Sequence, residues 1–185
     1  MELLTAVNRI LSTLGEAQVT NTDSQHSDVY LILTAIEEHK RLLLERGWWF
    51  NTSTVTMYPD ASGNIECPVD ALSIIDTKDE RLLVERTGQL YDASNSTEFF
   101  TAPVTIFITY NIAFEDLPPS AAQVVLLRAN QEMYTSYFGM DATIQGIQQK
   151  EEMAYAQLQL LHLRCMRYTS QKRGGYSRLI EALGG

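Results

Sequence analysis

Three histidines are the first place to look for chemistry, and their spacing does not favour it. His26, His39 and His162 are scattered, no two stand four residues apart, and no HExxH occurs. A metal site needs several convergent ligands, so each reads as an isolated side chain, with His39 on a solvated helix face. Phosphate-cradling and nucleophile motifs (P-loop, GxGxxG, GxSxG) do not occur either. Gly88, Gly139 and Gly174-Gly175 read as turns and helix stops. Carboxylates remain. Two acids facing each other across a cleft suffice for glycoside hydrolysis. The adjacent pairs are Asp79-Glu80 and Glu115-Asp116. Sequence neighbours seldom point into one cleft, and Asp116 suits a helix entrance, so both pairs read first as solvated charge. No catalytic, metal-binding or cofactor-binding residue is assigned, and no cofactor. A carbohydrate hydrolase using paired carboxylates stands as the alternative to a structural protein.

The elements that must position any site run helix, helix, strands, helix, helix, tail. Leu3, Leu4, Val7, Ile10, Leu11 and Leu14 form a one-sided helical stripe that Gly15 can stop. Gln18 to His26 is a polar loop. Ser27 and Asp28 suit a second helix start, Val29, Ile32, Leu33, Ile36 and Leu43 its buried stripe, and Gly47 its end. Trp48 to Tyr58 is aromatic and β-branched and reads as a strand. The Trp48-Trp49-Phe50 cluster could stack on a sugar or base, but reads first as core where two layers join. Pro59 to Asn64 is a turn. Short strands are expected around Ile65–Cys67, Leu72–Asp76, Arg81–Glu85 and Gln89–Asp92. The clearest alternation is Val104 to Ile112, with Val104, Ile106, Ile108, Tyr110 and Ile112 on one face and Thr105, Phe107, Thr109 and Asn111 on the other. Pro118-Pro119 fits a third helix entrance and Gly139 its stop. Asp141 caps a fourth helix, whose buried face takes Ile144, Ile147, Ala154, Leu158, Leu161 and Cys165.

The expected class is α+β: an antiparallel four-helix bundle with an inserted antiparallel β-sheet domain and an extended C-terminal tail. The expected borders are 1–47 and 116–168 for the bundle, 48–115 for the insert and 169–185 for the tail.

Charge divides the same way. The chain of 185 residues has 14 basic and 23 acidic residues, a net charge of -9, which opposes gripping nucleic acid over the whole surface. Asp60 to Glu98 carries nine acidic residues against Lys78, Arg81 and Arg86. The segment from Arg164 onward reverses the sign, with Arg164, Arg167, Lys172, Arg173 and Arg178 against Glu181 alone. Tyr176, Leu179, Ile180 and Leu183 add apolar side chains that a free tail would leave wet. Arg164, Arg167, Lys172, Arg173, Tyr176, Arg178, Leu179, Ile180 and Leu183 are therefore the expected partner interface, suited to an acidic neighbour such as another copy.

Cys67 and Cys165 fit no metal or redox spacing and read as free thiols of a reducing compartment. Glu2, Asn8 and Arg9 interrupt any signal-peptide core, and Val29 to Ile36 is far shorter than the ~20 apolar residues of a membrane span. The expectation is synthesis in the cytoplasm with no membrane insertion.

Four stretches, in order, resemble one family. LLTAVNRILSTLGEAQV (Leu3 to Val19), ERGWWFNT (Glu45 to Thr52), GQLYD (Gly88 to Asp92) and FEDLPPSAAQVVLLRA (Phe114 to Ala129) are similar to landmarks of tail tubular protein A, the head-to-tail adaptor of short-tailed bacteriophages. The resemblance implies a virion tail protein that assembles in the host cytoplasm into a homo-oligomeric, dodecameric ring. It implies a place between portal protein and nozzle protein (tail tubular protein B), with genomic DNA passing through the ring unbound during ejection. It carries over no catalytic residue, and it does not extend to the tail from Arg164.

Overall fold

The computed structural model describes residues 1–23, 27–78 and 80–172, with side chains through Met166. Helix α1 (Leu3–Leu14) and helix α2 (Ser27–Leu44) precede five strands: β1 (Thr52–Met57), β2 (Ala71–Asp76), β3 (Leu83–Arg86), β4 (Gln89–Asp92) and β5 (Val104–Tyr110). A 3₁₀ turn (Phe114–Asp116), helix α3 (Pro119–Phe138) and helix α4 (Ala142–Lys172) follow. The class is α+β, with four helices and a small antiparallel sheet. Two compact units divide the chain, Met1–Lys40 with Phe114–Gly185, and Arg41–Ala113.

In the helical unit α1 packs on α3, and α3 on α4. The α1 stripe is buried at Ala6, Val7, Ile10, Leu11 and Leu14, and Gly15 closes the helix in the left-handed conformation. The Asn8 carboxamide then holds the following loop from both sides. Its Nδ2 donates to the Val19 carbonyl at 3.0 Å, and its Oδ1 accepts the Val19 N–H at 2.8 Å. Pro119 starts α3, where a missing N–H costs nothing, and Gly139 ends it. Asp141 caps α4 by accepting the N–H groups of Thr143 (2.8 Å) and Ile144 (3.0 Å). Three residues, 139–141, thus join α3 to α4 as an antiparallel hairpin, with Leu127, Tyr134, Ile144 and Ile147 as its apolar seam.

In the β unit the sheet order is β1-β5-β2, antiparallel throughout, and β3 pairs with β4 in a separate ribbon. The inner face of β5 (Val104, Ile106, Ile108) meets Ile65, Cys67, Leu83, Leu90 and Phe100 in one core. Each fully buried aliphatic side chain there contributes about 1.5–3 kcal/mol. Thr87 and Gly88 both have positive φ, making the two-residue β3–β4 turn a primed one that suits strand twist.

Several strand expectations shift here: β3 begins at Leu83 rather than Arg81, and β5 ends at Tyr110 rather than Ile112. The strand expected from Trp48 starts only at Thr52, because the Trp48 N–H bonds the Asn51 side chain (2.7 Å) and its carbonyl takes the Asn51 N–H, closing a turn. The Ile65–Cys67 strand is reduced to a bridge between Glu66 and Gln89, next to Pro68, which has no N–H to extend a ladder.

Candidate functional site

The sequence-flagged acids do not converge. Glu115 and Asp116 are exposed on the 3₁₀ turn, Glu80 is exposed, and Asp79 lies outside the described residues. His26 also lies outside them. Among the described residues no group of three or more His, Cys, Asp or Glu side chains could hold a metal ion, and no helix is long and apolar enough to cross a membrane.

A groove of about 600 Å³ in the helical unit does gather titratable groups: His39, Arg128, Glu132 and Glu151, with Gln131, Thr135 and Ser136. Each carboxylate in it faces a cation or imidazole. His39 Nε2 lies 2.8 Å from Glu132 Oε2, and Arg128 Nε donates to Glu151 Oε1 at 2.7 Å. The Arg128 guanidinium also lies over the Tyr155 ring, 4.9 Å from its centroid. These pairs tie α2 to α3 and α3 to α4. Their geometry reads as packing of three helices, not as an acid and base awaiting substrate. Tyr137, in the last turn of α3, donates to Asp28 Oδ1 (2.7 Å), and this bond to a carboxylate raises the Tyr137 pKa above its ordinary value.

The β unit is held by polar groups that are nearly self-sufficient. Asn51 donates through Nδ2 to the carbonyls of Leu44 (3.0 Å) and Tyr110 (2.8 Å), and accepts the Trp48 N–H. It thereby bolts the end of α2 to the end of β5 from a site only 2% exposed. Trp48 is buried and donates from Nε1 to the Leu43 carbonyl (2.6 Å). Gly47, at φ +69°, approaches Thr52 and Thr109 closely, where a Cβ would sit 3.4 Å from each. The ERGWWFNT stretch is thus a structural joint, with the Trp48 ring as core. Asp92 is buried at the end of β4. Burial pushes its pKa up, but the hydrogen bonds from the Asn95 side chain and from the Asn95 and Ser94 N–H groups outweigh this, with help from Arg81. The net result lies below the ordinary carboxylate range.

The end of α4 is the opposite case. The Arg128–Glu151 pair sets the hairpin register, and continuing it places Pro119 opposite roughly residue 160 at 1.5 Å per residue. Beyond that point α4 runs on for about a dozen residues, ~18 Å, past the end of its partner. Leu158 is fully buried, but from Gln159 to Met166 no side chain is. Leu160 is 55% exposed, Leu163 53% and Met166 50%, with Leu161 also exposed. Leu161 and Cys165, expected on the buried face, lose that burial because α3 has ended.

Of the expected interface, Arg164 is exposed on this overhang, and Arg167 and Lys172 belong to α4 by backbone. Arg173, Tyr176, Arg178, Leu179, Ile180 and Leu183 lie outside the described residues. The sequence reading missed Leu160, Leu163 and Met166. Their signal was present: after Glu152 the helix carries no acid and turns apolar on more than one face.

The matching family is a phage tail family. The profile of a family described as tail tubular protein matches residues 4–171, from the α1 stripe through the overhang.

The chain belongs to the tail tubular protein family. It is similar to tail tubular protein A of Klebsiella phage KP34, at 30% identity over 172 residues, covering 93% of this chain and 92% of that protein. This tail tubular protein is thereby a component of a virion tail, and its overhang lies within the family match.

Proposed function

We propose that this tail tubular protein is a structural ring subunit, the adaptor that joins portal protein to the tail nozzle protein (tail tubular protein B) and forms part of the DNA ejection conduit. The observation that carries this reading is the end of α4, an apolar, basic helix stretch whose Leu160, Leu163 and Met166 stay half exposed. Monomeric proteins rarely expose such contiguous apolar surface without a partner for it. A chain of 20.9 kDa is too small to encircle a DNA duplex alone, so a conduit requires several copies, twelve by the resemblance. The net charge of -9 suits a wall that repels phosphate and lets the genome pass unbound.

In this reading residues 1–47 and 116–168 pack as an antiparallel four-helix bundle and 48–115 form the inserted domain. Residues 169–185 continue the docking surface of Arg164, Arg167, Lys172, Arg173, Tyr176, Arg178, Leu179, Ile180 and Leu183. Assembly takes place in the host cytoplasm, and the subunit has no enzymatic role.

Electron microscopy of the chain mixed with its portal protein tests the proposal. Rings seated on the portal are expected. Deleting Arg173–Gly185 is expected to leave the melting temperature unchanged and abolish attachment. Normal attachment by the deleted chain removes the tail from the docking surface, and absence of any ring with the intact chain removes the adaptor reading.

A further inference from the structure

The α4 overhang has an opposite number on the same unit. Helix α2 turns Tyr30, Leu33, Thr34, Glu37 and Glu38 toward an open groove of about 360 Å³. Tyr30 is 71% exposed, and the neighbouring Leu31 is exposed as well. The groove is apolar at its floor and carries two carboxylates, of which Glu37 also meets Lys40 at 2.7 Å. The overhang presents Leu160, Leu163 and Met166 with Arg164. The two surfaces match in kind, apolar to apolar and acid to base.

They cannot meet within one chain. Asp28 bonds Tyr137, and His39 bonds Glu132, so the groove between those two α2 residues lies beside the second half of α3. The overhang leaves α3 at the other end, past Pro119. From Glu132 to Pro119 the α3 axis runs ~20 Å at 1.5 Å per residue.

We infer that the overhang of α4 in one copy docks in the α2 groove of the next copy. Residues Leu160, Leu163 and Met166 lie over Tyr30 and Leu33, and Arg164 pairs with Glu38. This rests on the ring reading above and names its subunit contact. The contact is heterologous, joining two different patches, and such contacts generate rings when the rotation closes. Because the patches are offset along the helices, a closed ring requires the helices to lie inclined to the ring axis.

A photo-crosslinking amino acid in place of Leu163, in full-length chain assembled into virion tails, tests this directly. The expected product is an adduct of two copies, with the cross-linked peptide mapping to residues 27–44. Adducts between copies that map to any other surface, or adducts to another tail protein alone, overturn the inference and leave the ring standing. If probes at both Leu163 and Tyr30 join no two copies in assembled tails, the inference fails, and the ring reading then stands or falls on the electron microscopy described above. Charge exchange supplies a second readout. Glu38→Arg is expected to lower the yield of assembled tails at least tenfold with unchanged melting, and adding Arg164→Glu to restore it. A double variant no better than the single one overturns the pairing.

Discussion

The β unit and the end of α4 solve opposite problems. In the β unit the central strand β5 is covered on its inner face by one apolar cluster, and buried Asn51 and Asp92 find partners within a few residues or across the sheet. At the end of α4 the apolar residues Leu160, Leu163 and Met166 stay half exposed, since α3 is 20 residues long and α4 is 31. The first region spends its hydrophobic surface on its own fold, and the second keeps it for a partner. Substitutions should therefore act on stability in one region and on assembly in the other.

The largest effect is expected at the β5 core. Ile106→Ala, at a fully buried site, should lower unfolding free energy by about 2–5 kcal/mol in a urea titration. A loss below 1 kcal/mol would show that the β unit is not packed as a closed core. Asn51→Ala should follow at about 2–3 kcal/mol, because the Trp48 N–H and the Leu44 and Tyr110 carbonyls each lose the hydrogen bond to its side chain, the Leu44 carbonyl keeping that from the Gly47 N–H. Asn51→Asp retains the acceptor only, so it should recover part of the loss at most.

Acid should weaken the two units through different residues. Asp92 in the β unit lies below the ordinary carboxylate range for the reasons given above. Asp141 in the helical unit is lowered first by the Tyr134 hydroxyl, which donates at 2.7 Å, and then by the Ile144 N–H. A carboxylate depressed in the folded state stabilises it above the unfolded value of about 3.9, and that contribution is lost as pH falls through the folded value. Melting temperature should accordingly be flat near neutrality and fall below about pH 4. Asp92→Asn should flatten part of that fall, and an acid limb identical to the parent's would remove Asp92 from its cause.

Thiol reactivity separates the regions again. Burial, and then the Glu85 charge, push the Cys67 thiol up to about 11, whereas Cys165 on the overhang is partly exposed. A maleimide at neutral pH should label Cys165 and spare Cys67 in the folded chain, as read by peptide mass spectrometry. The smallest stability effect belongs to Leu163→Gln, expected within ~0.5 kcal/mol of the parent because the side chain is half exposed. A loss above 1 kcal/mol would mean that the overhang packs on its own chain.

Much of the framework was legible in local pattern. The α1 stripe, the Pro119 entrance, the Gly139 stop, the Asp141 cap and the alternation of β5 each depend on residues close in sequence, so periodicity and capping chemistry suffice to read them. The four family-like stretches were equally legible, and they proved to include structural joints: Asn8 against Val19, Asn51 between α2 and β5, Asp92 at the end of β4. Their bonding was not legible, because an amide or carboxylate reads as polar whatever it meets.

Composition and order of the chain alone determined the two helical pairs, the strand-rich middle, the acidic middle and the basic end. Only the tertiary structure decided which apolar residues of α4 are core. Leu158 and Leu161 have the same side chain, three residues apart on one face of the helix, and one is fully buried while the other is 37% exposed. The difference lies in where α3 begins, which is fixed by Pro119 and by the register of a hairpin whose turn, at residues 139–141, closes only after the full length of α3. Burial is a property of what lies alongside, and a helical stripe records a preference for cover without recording who provides it.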